Sequence, residues 1–142
     1  MQVQMAKSFY YASEMAYLMV NIDNTQCTNR CTLIISQKTK LIQERANGTP
    51  AQRIWTHRKE SFPLAEAHEH TQKVLQFKIA KKRKHREDED KFGKKANVYH
   101  YINQLVPESI ITPTFTVVNY LELKLSHEKT YNSENSVKRI KF

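Results

Sequence analysis

Residues 64–80 read LAEAHEHTQKVLQFKIA, and the class of the whole domain turns on the conformation of this stretch. At 100° per residue, Leu64, Ala67, Thr71, Val74, Leu75 and Ile79 fall within one face. Glu66, Glu69, Gln72, Lys73 and Gln76 occupy the rest of the circumference. That distribution predicts an amphipathic helix starting near Leu64, with Ser61-Phe62-Pro63 as the break in front of it. One residue does not fit: Phe77 lies off the apolar arc, so on a helix it packs on a second neighbour or meets water.

Beyond Ile79 and Ala80 the apolar face runs out, because Lys82, Arg86 and Glu89 occupy the positions that would continue it. A helix extended through them leaves the body of the domain over about residues 81–95, and Gly93 is a suitable stop. The protruding end then carries Lys81, Lys82, Arg83, Lys84, His85 and Arg86, five fixed cations in six positions. Such a run suits an anionic partner or an import receptor. Lys78, Lys94 and Lys95 flank it, and Lys138, Arg139 and Lys141 extend the basic set. The leading expectation is a non-enzymatic accessory or regulatory protein that contacts DNA or RNA through these residues, releasing counterions as it binds.

Glu87-Asp88-Glu89-Asp90 follows at once and supports a second reading. Paired at i,i+4, Arg83 with Glu87, Lys84 with Asp88 and Arg86 with Asp90 describe a solvated helix, each pair contributing about 0.2 to 0.5 kcal/mol. That helix would dock on an acidic protein surface without nucleic acid, as a binding module or inhibitor. Phe77, Phe92, Tyr99 and Tyr101 flank the block, where aromatics serve either as stacking platforms or as core.

Elsewhere two periodicities alternate along the chain. Phe9, Ala12 and Ala16 recur at helical spacing behind Ser8, whereas Leu18, Val20 and Ile22 alternate with polar neighbours, and Cys31, Leu33 and Ile35 alternate again after the polar stretch from Asp23 to Arg30. The expectation is a hairpin over about residues 17–36. Lys38 to Ala46 fits a helical turn or two, and Thr49-Pro50 opens another short helix carrying Ile54 and Trp55. Val98, Tyr101, Ile102 and Leu105 mark a further one, ended by Pro107. From Thr114 to Leu125 one strand face would hold Phe115, Val117, Asn119, Leu121, Leu123 and Leu125, which scatter on a helical wheel. A helix-turn-helix over residues 116–140 is the competing assignment, though its turn lacks glycine. The predicted class is α+β: a small antiparallel sheet packed against the helix from Leu64, forming one domain over residues 1–129 with a polar, loosely ordered tail over residues 130–142.

Composition narrows the function classes further. The chain has 142 residues and a net charge of +9, most of it from residues 51–100. Only Gly48 and Gly93 are glycines, which excludes phosphate-cradling loops and dinucleotide folds. Cys27 and Cys31 are the sole cysteines, too few for a disulfide framework. Glu14 interrupts the apolar stretch near the N-terminus, giving no signal-peptide pattern, and no apolar run approaches the roughly 20 residues of a membrane span. Expected localisation is cytoplasmic, or nuclear in a eukaryote. His68 and His70 are two apart, so with Glu66 and Glu69 they do not form a helical metal pair, and a site would need His57, Cys27 or Cys31 from elsewhere. No metal, cofactor or catalytic triad is expected.

Overall fold

Leu18, Val20 and Ile22 alternate with Tyr17, Met19 and Asn21, and Leu33 and Ile35 alternate with Thr32, Ile34 and Ser36. Such alternation gives a strand one apolar face, and strands of this kind must be paired and covered. In a computed structural model, which describes residues 1–81, 106–127 and 136–141, they are covered by one another. The strands are β1 (Gln2–Met5), β2 (Met15–Asp23), β3 (Cys31–Glu44), β4 (Pro50–Ala65), β5 (His70–Lys78), β6 (Ile110–Ile111), β7 (Phe115–His127) and β8 (Ser136–Lys141). A three-stranded sheet has the order β1-β2-β5. The five-stranded sheet runs β4-β3-β7, with β6 and β8 both pairing with β7. All pairings are antiparallel.

The two inner faces share one core. Ala16, Leu18, Val20 and Ile22 of β2 and Leu75 and Phe77 of β5 meet Leu33 and Ile35 of β3 and Leu121, Leu123 and Leu125 of β7. Each large side chain removed from water contributes roughly 1.5 to 3 kcal/mol, and two inner faces supply enough of them to close a sandwich. Phe77, at 0% exposure, is the largest of the fully buried side chains. The Arg58 guanidinium lies over its ring, 5.6 Å from the centroid, where β4 and β5 are edges of their respective sheets.

The helix predicted from Leu64 does not form, and with it the α+β class is replaced by an all-β sandwich. Leu64 and Ala65 end β4, residues 66–69 turn, and His70 to Lys78 pair with β2 without a break in register. His68 holds φ at 58°, and the Glu69 carboxylate accepts from Glu66 N at 2.7 Å across the turn. Two short β segments joined by such a turn mimic a helical arc by accident of spacing. Leu75, Phe77 and Ile79, all buried and two apart, are the true period, and Phe77 was the residue that the helical wheel left out.

Other expected helices become strand as well. Lys38 to Ala46 continues β3 as far as Glu44, and Ile54 and Trp55 lie in β4. Ser8 to Glu14 forms an irregular loop, tied by an ion pair between Lys7 and Glu14, before β2 begins at Met15. The hairpin over residues 17–36 is corrected too: β2 pairs with β1 and β5 while β3 pairs with β4 and β7, so the two strands belong to opposite sheets. β7 covers the stretch where a strand was expected, and β8 removes the helix-turn-helix alternative. The protruding helix end over about 81–95 and the short helix around Tyr101 lie outside the described residues, apart from Lys81.

Asn24, buried in the β2–β3 connection, pins one end of the sandwich. Its Nδ2 donates to the carbonyls of Asn29 at 2.9 Å and Glu66 at 2.8 Å, and its Oδ1 lies 3.2 Å from His127 Nε2 at the end of β7. One amide thus joins both sheets. At β4 the register with β3 shifts twice, skipping His57 and Leu64. Bulges of this kind turn a side chain toward a face that strict alternation would deny it.

Candidate anion-binding face

The bulge at His57 feeds a polar layer beneath the apolar core. Inward positions of the five-stranded sheet change from Leu33 and Ile35 to Gln37 and Thr39 on β3, and from Leu121 to Asn119 on β7. Gln37 Oε1 accepts from Ala80 N at 2.7 Å and its Nε2 donates to Ala80 O at 3.2 Å, anchoring the chain as it leaves β5. Thr39 Oγ1 lies 2.6 Å from His57 Nε2 and 2.5 Å from Asn119 Oδ1. Asn119 Nδ2 meets the Pro107 carbonyl at 2.7 Å, which can only accept, so Nδ2 faces Pro107 and Oδ1 faces Thr39. The single hydroxyl proton of Thr39 therefore goes to Asn119, and His57 Nε2 must donate to Thr39.

That direction of donation settles the chemistry of the trio. A histidine that donates to a hydroxyl is not acting as its base, so Thr39 is not activated as a nucleophile. Its role is structural, joining β3, β4, β7 and the Pro107–Ser109 segment. Other residues weighed as metal ligands are dispersed. His68 Nδ1 lies 3.0 Å from the Thr25 carbonyl, His70 Nε2 lies 2.8 Å from Asn21 Oδ1, and Cys31 is buried, where desolvation raises its thiol pKa. Among the described residues no group of three or more His, Cys, Asp and Glu side chains is placed to hold a metal ion.

Charge is concentrated instead on the outer face of the five-stranded sheet. Since Gln37 and Thr39 point inward, Ser36, Lys38, Lys40 and Ile42 point outward, and the register extends this to the neighbouring strands. Lys59, Ser36, Glu122 and Arg139 form one row across β4, β3, β7 and β8. Thr56, Lys38, Tyr120 and Lys141 form the next, and Ile54, Lys40 and Val118 a third. Lys124 stands two residues beyond Glu122 on β7, and Glu44 closes β3 at its far end. Across the middle of the face, among the described residues, six cations stand against the single carboxylate of Glu122.

Glu122 is shared between two of them. Its Oε1 lies 2.6 Å from Lys38 Nζ and its Oε2 2.9 Å from Arg139 Nε. The Lys38 hydrogen bond above all holds its carboxyl below the usual glutamate range; burial opposes it, and the weaker hydrogen bond from Arg139 adds to the lowering. A groove of about 320 Å³ runs along this face, with Tyr120 in its lining between Lys38, Lys40, Arg139 and Lys141. The outer face of the three-stranded sheet is different in kind. Between Asn21 and Tyr17 it presents Gln2, Gln4, Met19, Gln72, Val74 and Gln76, with no charge among the described residues.

The residues expected to bind nucleic acid are therefore divided. Arg139 joins the basic face through Glu122, and Lys138 lies beside it in β8, in register with Leu123. Lys78 ends β5 on the outer side of the other sheet, and the carbonyl of exposed Lys81 accepts from Val106 N at 2.9 Å. Lys82, Arg83, Lys84, Arg86, Lys94 and Lys95 lie outside the described residues. Lys38, Lys40, Lys59 and Lys124, which the sequence reading passed over, complete the surface. The linear signal was Lys38 and Lys40 at alternate positions of β3, unremarkable until β7 and β8 lie alongside; Lys59 and Lys124 carried none.

Comparison with known proteins bears on the fold alone. No protein-family model matches the chain, and no curated protein matches it in sequence. Among solved structures it is similar to Spo0M, a sporulation control protein from Bacillus subtilis, with a TM-score of 0.58 at 11% identity over 99% of this chain. The match takes in 47% of that protein, so the chain spans about half its length, and what the two share is a sandwich architecture.

Proposed function

We propose that the protein is a non-enzymatic binding module that docks an acidic segment of a partner protein on the outer face of its five-stranded sheet. The observation that carries this reading is the asymmetry of the sandwich among the described residues: six cations and one carboxylate across the middle of one outer face, and none of either across the centre of the other. A rigid sheet holds its side chains at fixed spacings, so such a face attracts and orients an anionic partner with little ordering cost. The polar trio of Thr39, His57 and Asn119 supports the same reading, because its hydrogen bonds leave no activated nucleophile.

Fluorescence anisotropy tests the proposal, using a labelled polyglutamate peptide beside single- and double-stranded DNA and RNA, each at low and physiological salt. The expected result is peptide binding that weakens with salt and is lost in Lys40→Glu/Lys141→Glu, while the variant keeps the wild-type circular dichroism spectrum. Binding of the oligonucleotides without the peptide would refute it.

A further inference from the structure

The register of β3, β7 and β8 repeats one arrangement of side chains, and the repeat lacks one group. In the first copy, Glu122 on β7 lies opposite Arg139 on β8 and one diagonal step from Lys38 on β3, which stands opposite Tyr120. Both cations close on the Glu122 carboxylate. Two residues along, Tyr120 lies opposite Lys141, and Lys40 stands on the same diagonal, opposite Val118. The strand spacings are the same, so Lys40 and Lys141 are separated as Lys38 and Arg139 are, by about 12 Å between Cα atoms. At the centre of the second copy the side chain is Tyr120, 5% exposed, which offers no carboxylate.

We infer that Lys40 and Lys141 form a carboxylate clamp over Tyr120, without a carboxylate among the described residues and filled by an aspartate or glutamate side chain of an extended acidic segment in a partner protein. The deduction rests on the docking role proposed above and identifies the subsite within that face. The protein's own Glu122 shows what the clamp accepts: a carboxylate that takes one hydrogen bond from each flanking cation. Both lysines line the groove, and so do Ile42, Ile54 and Val118, which form an apolar pad beside Lys40. A segment that alternates acidic and apolar residues matches this pairing. An acidic side chain enters the clamp, and an apolar one covers the pad.

The test measures anisotropy of a short labelled peptide alternating glutamate with leucine, and of a second alternating glutamate with serine. Lys40→Ala/Lys141→Ala removes the clamp. Lys59→Ala/Lys124→Ala removes the same charge from the same face outside the groove. The clamp variant is expected to lose about tenfold or more in affinity and the control less than about threefold, with the leucine peptide binding more tightly than the serine one. Tyr120→Glu, which supplies the missing carboxylate internally, is expected to abolish binding with both lysines in place.

Equal losses in the two lysine variants would overturn the clamp and leave the wider docking role standing. Failure of both peptides to bind the wild-type protein would overturn both. Tighter binding of a single-stranded oligonucleotide through the same two lysines would overturn the choice of partner. Should Tyr120→Glu not fold, by circular dichroism and thermal melting, the lysine comparison decides alone.

Discussion

Replacing Glu122 by glutamine should move stability and binding in opposite directions. In the folded protein Lys38 and Glu122 are 22% and 15% exposed in their side chains, so their contact is partly sheltered, while Arg139 is 65% exposed. A sheltered charge-assisted hydrogen bond contributes about 1.5 to 3 kcal/mol, and an exposed ion pair about 0.2 to 1 kcal/mol. Glutamine keeps the shape and one acceptor, so the net destabilisation is about 1 to 2 kcal/mol, measurable as a lower urea midpoint at unchanged slope. At the same time an acidic peptide in the neighbouring clamp no longer meets a carboxylate about 7 Å away along β7. In a water-like medium that repulsion is about 0.6 kcal/mol, so affinity should rise by about threefold. Acidification supplies an independent check. Because the folded-state pKa of Glu122 is depressed, its contribution is present above the ordinary value of 4.5 and is lost as pH falls through the folded value. The stability gap between wild type and variant should therefore shrink below about pH 4.5. A variant that binds the peptide more weakly than wild type would refute the reasoning, since Glu122 would then belong to the binding site and not compete with its ligand.

Two further outcomes test the interior. Phe77→Ala should cost about 3 to 5 kcal/mol, the range for truncating a buried aromatic, and a loss below about 1 kcal/mol in denaturant titration would place Phe77 outside the core. Thr39→Val keeps the shape but removes the hydroxyl between His57 and Asn119, so it should cost about 1 to 3 kcal/mol in thermal or urea unfolding. Its affinity for acidic peptide should stay within about twofold of wild type, because successive strand residues face opposite ways, the trio inward and the clamp outward.

Alternation within a strand is a local property, and where it was clean the chain could be read directly. Leu18, Val20 and Ile22, then Leu33 and Ile35, then Leu121, Leu123 and Leu125 all face the core as their spacing implies. Residues 64–80 misled because a strand end, a four-residue turn and an edge strand together place apolar side chains on a helical arc. Only Phe77, which fits the period of two and not that of 3.6, pointed the other way. Edge strands are prone to this error, since one side is open to water and polar residues interrupt the pattern; in β5, Lys73 occupies an inward register position opposite Val20 and is nonetheless exposed.

By itself the sequence determined that the protein is basic, poor in glycine and rich enough in alternating apolar residues to pair strands, because composition and period are written residue by residue. Which strands pair was decided by tertiary structure, since β2 and β3 are neighbours in the chain and yet build opposite sheets. The basic groove is of the same origin: Lys40 and Lys141 are about a hundred residues apart, and only the hydrogen-bonded register through β7 brings them to either side of Tyr120. A linear run such as Lys81 to Arg86 is conspicuous because its charges are adjacent in sequence, whereas a sheet face collects its charges across strands and shows no run at all.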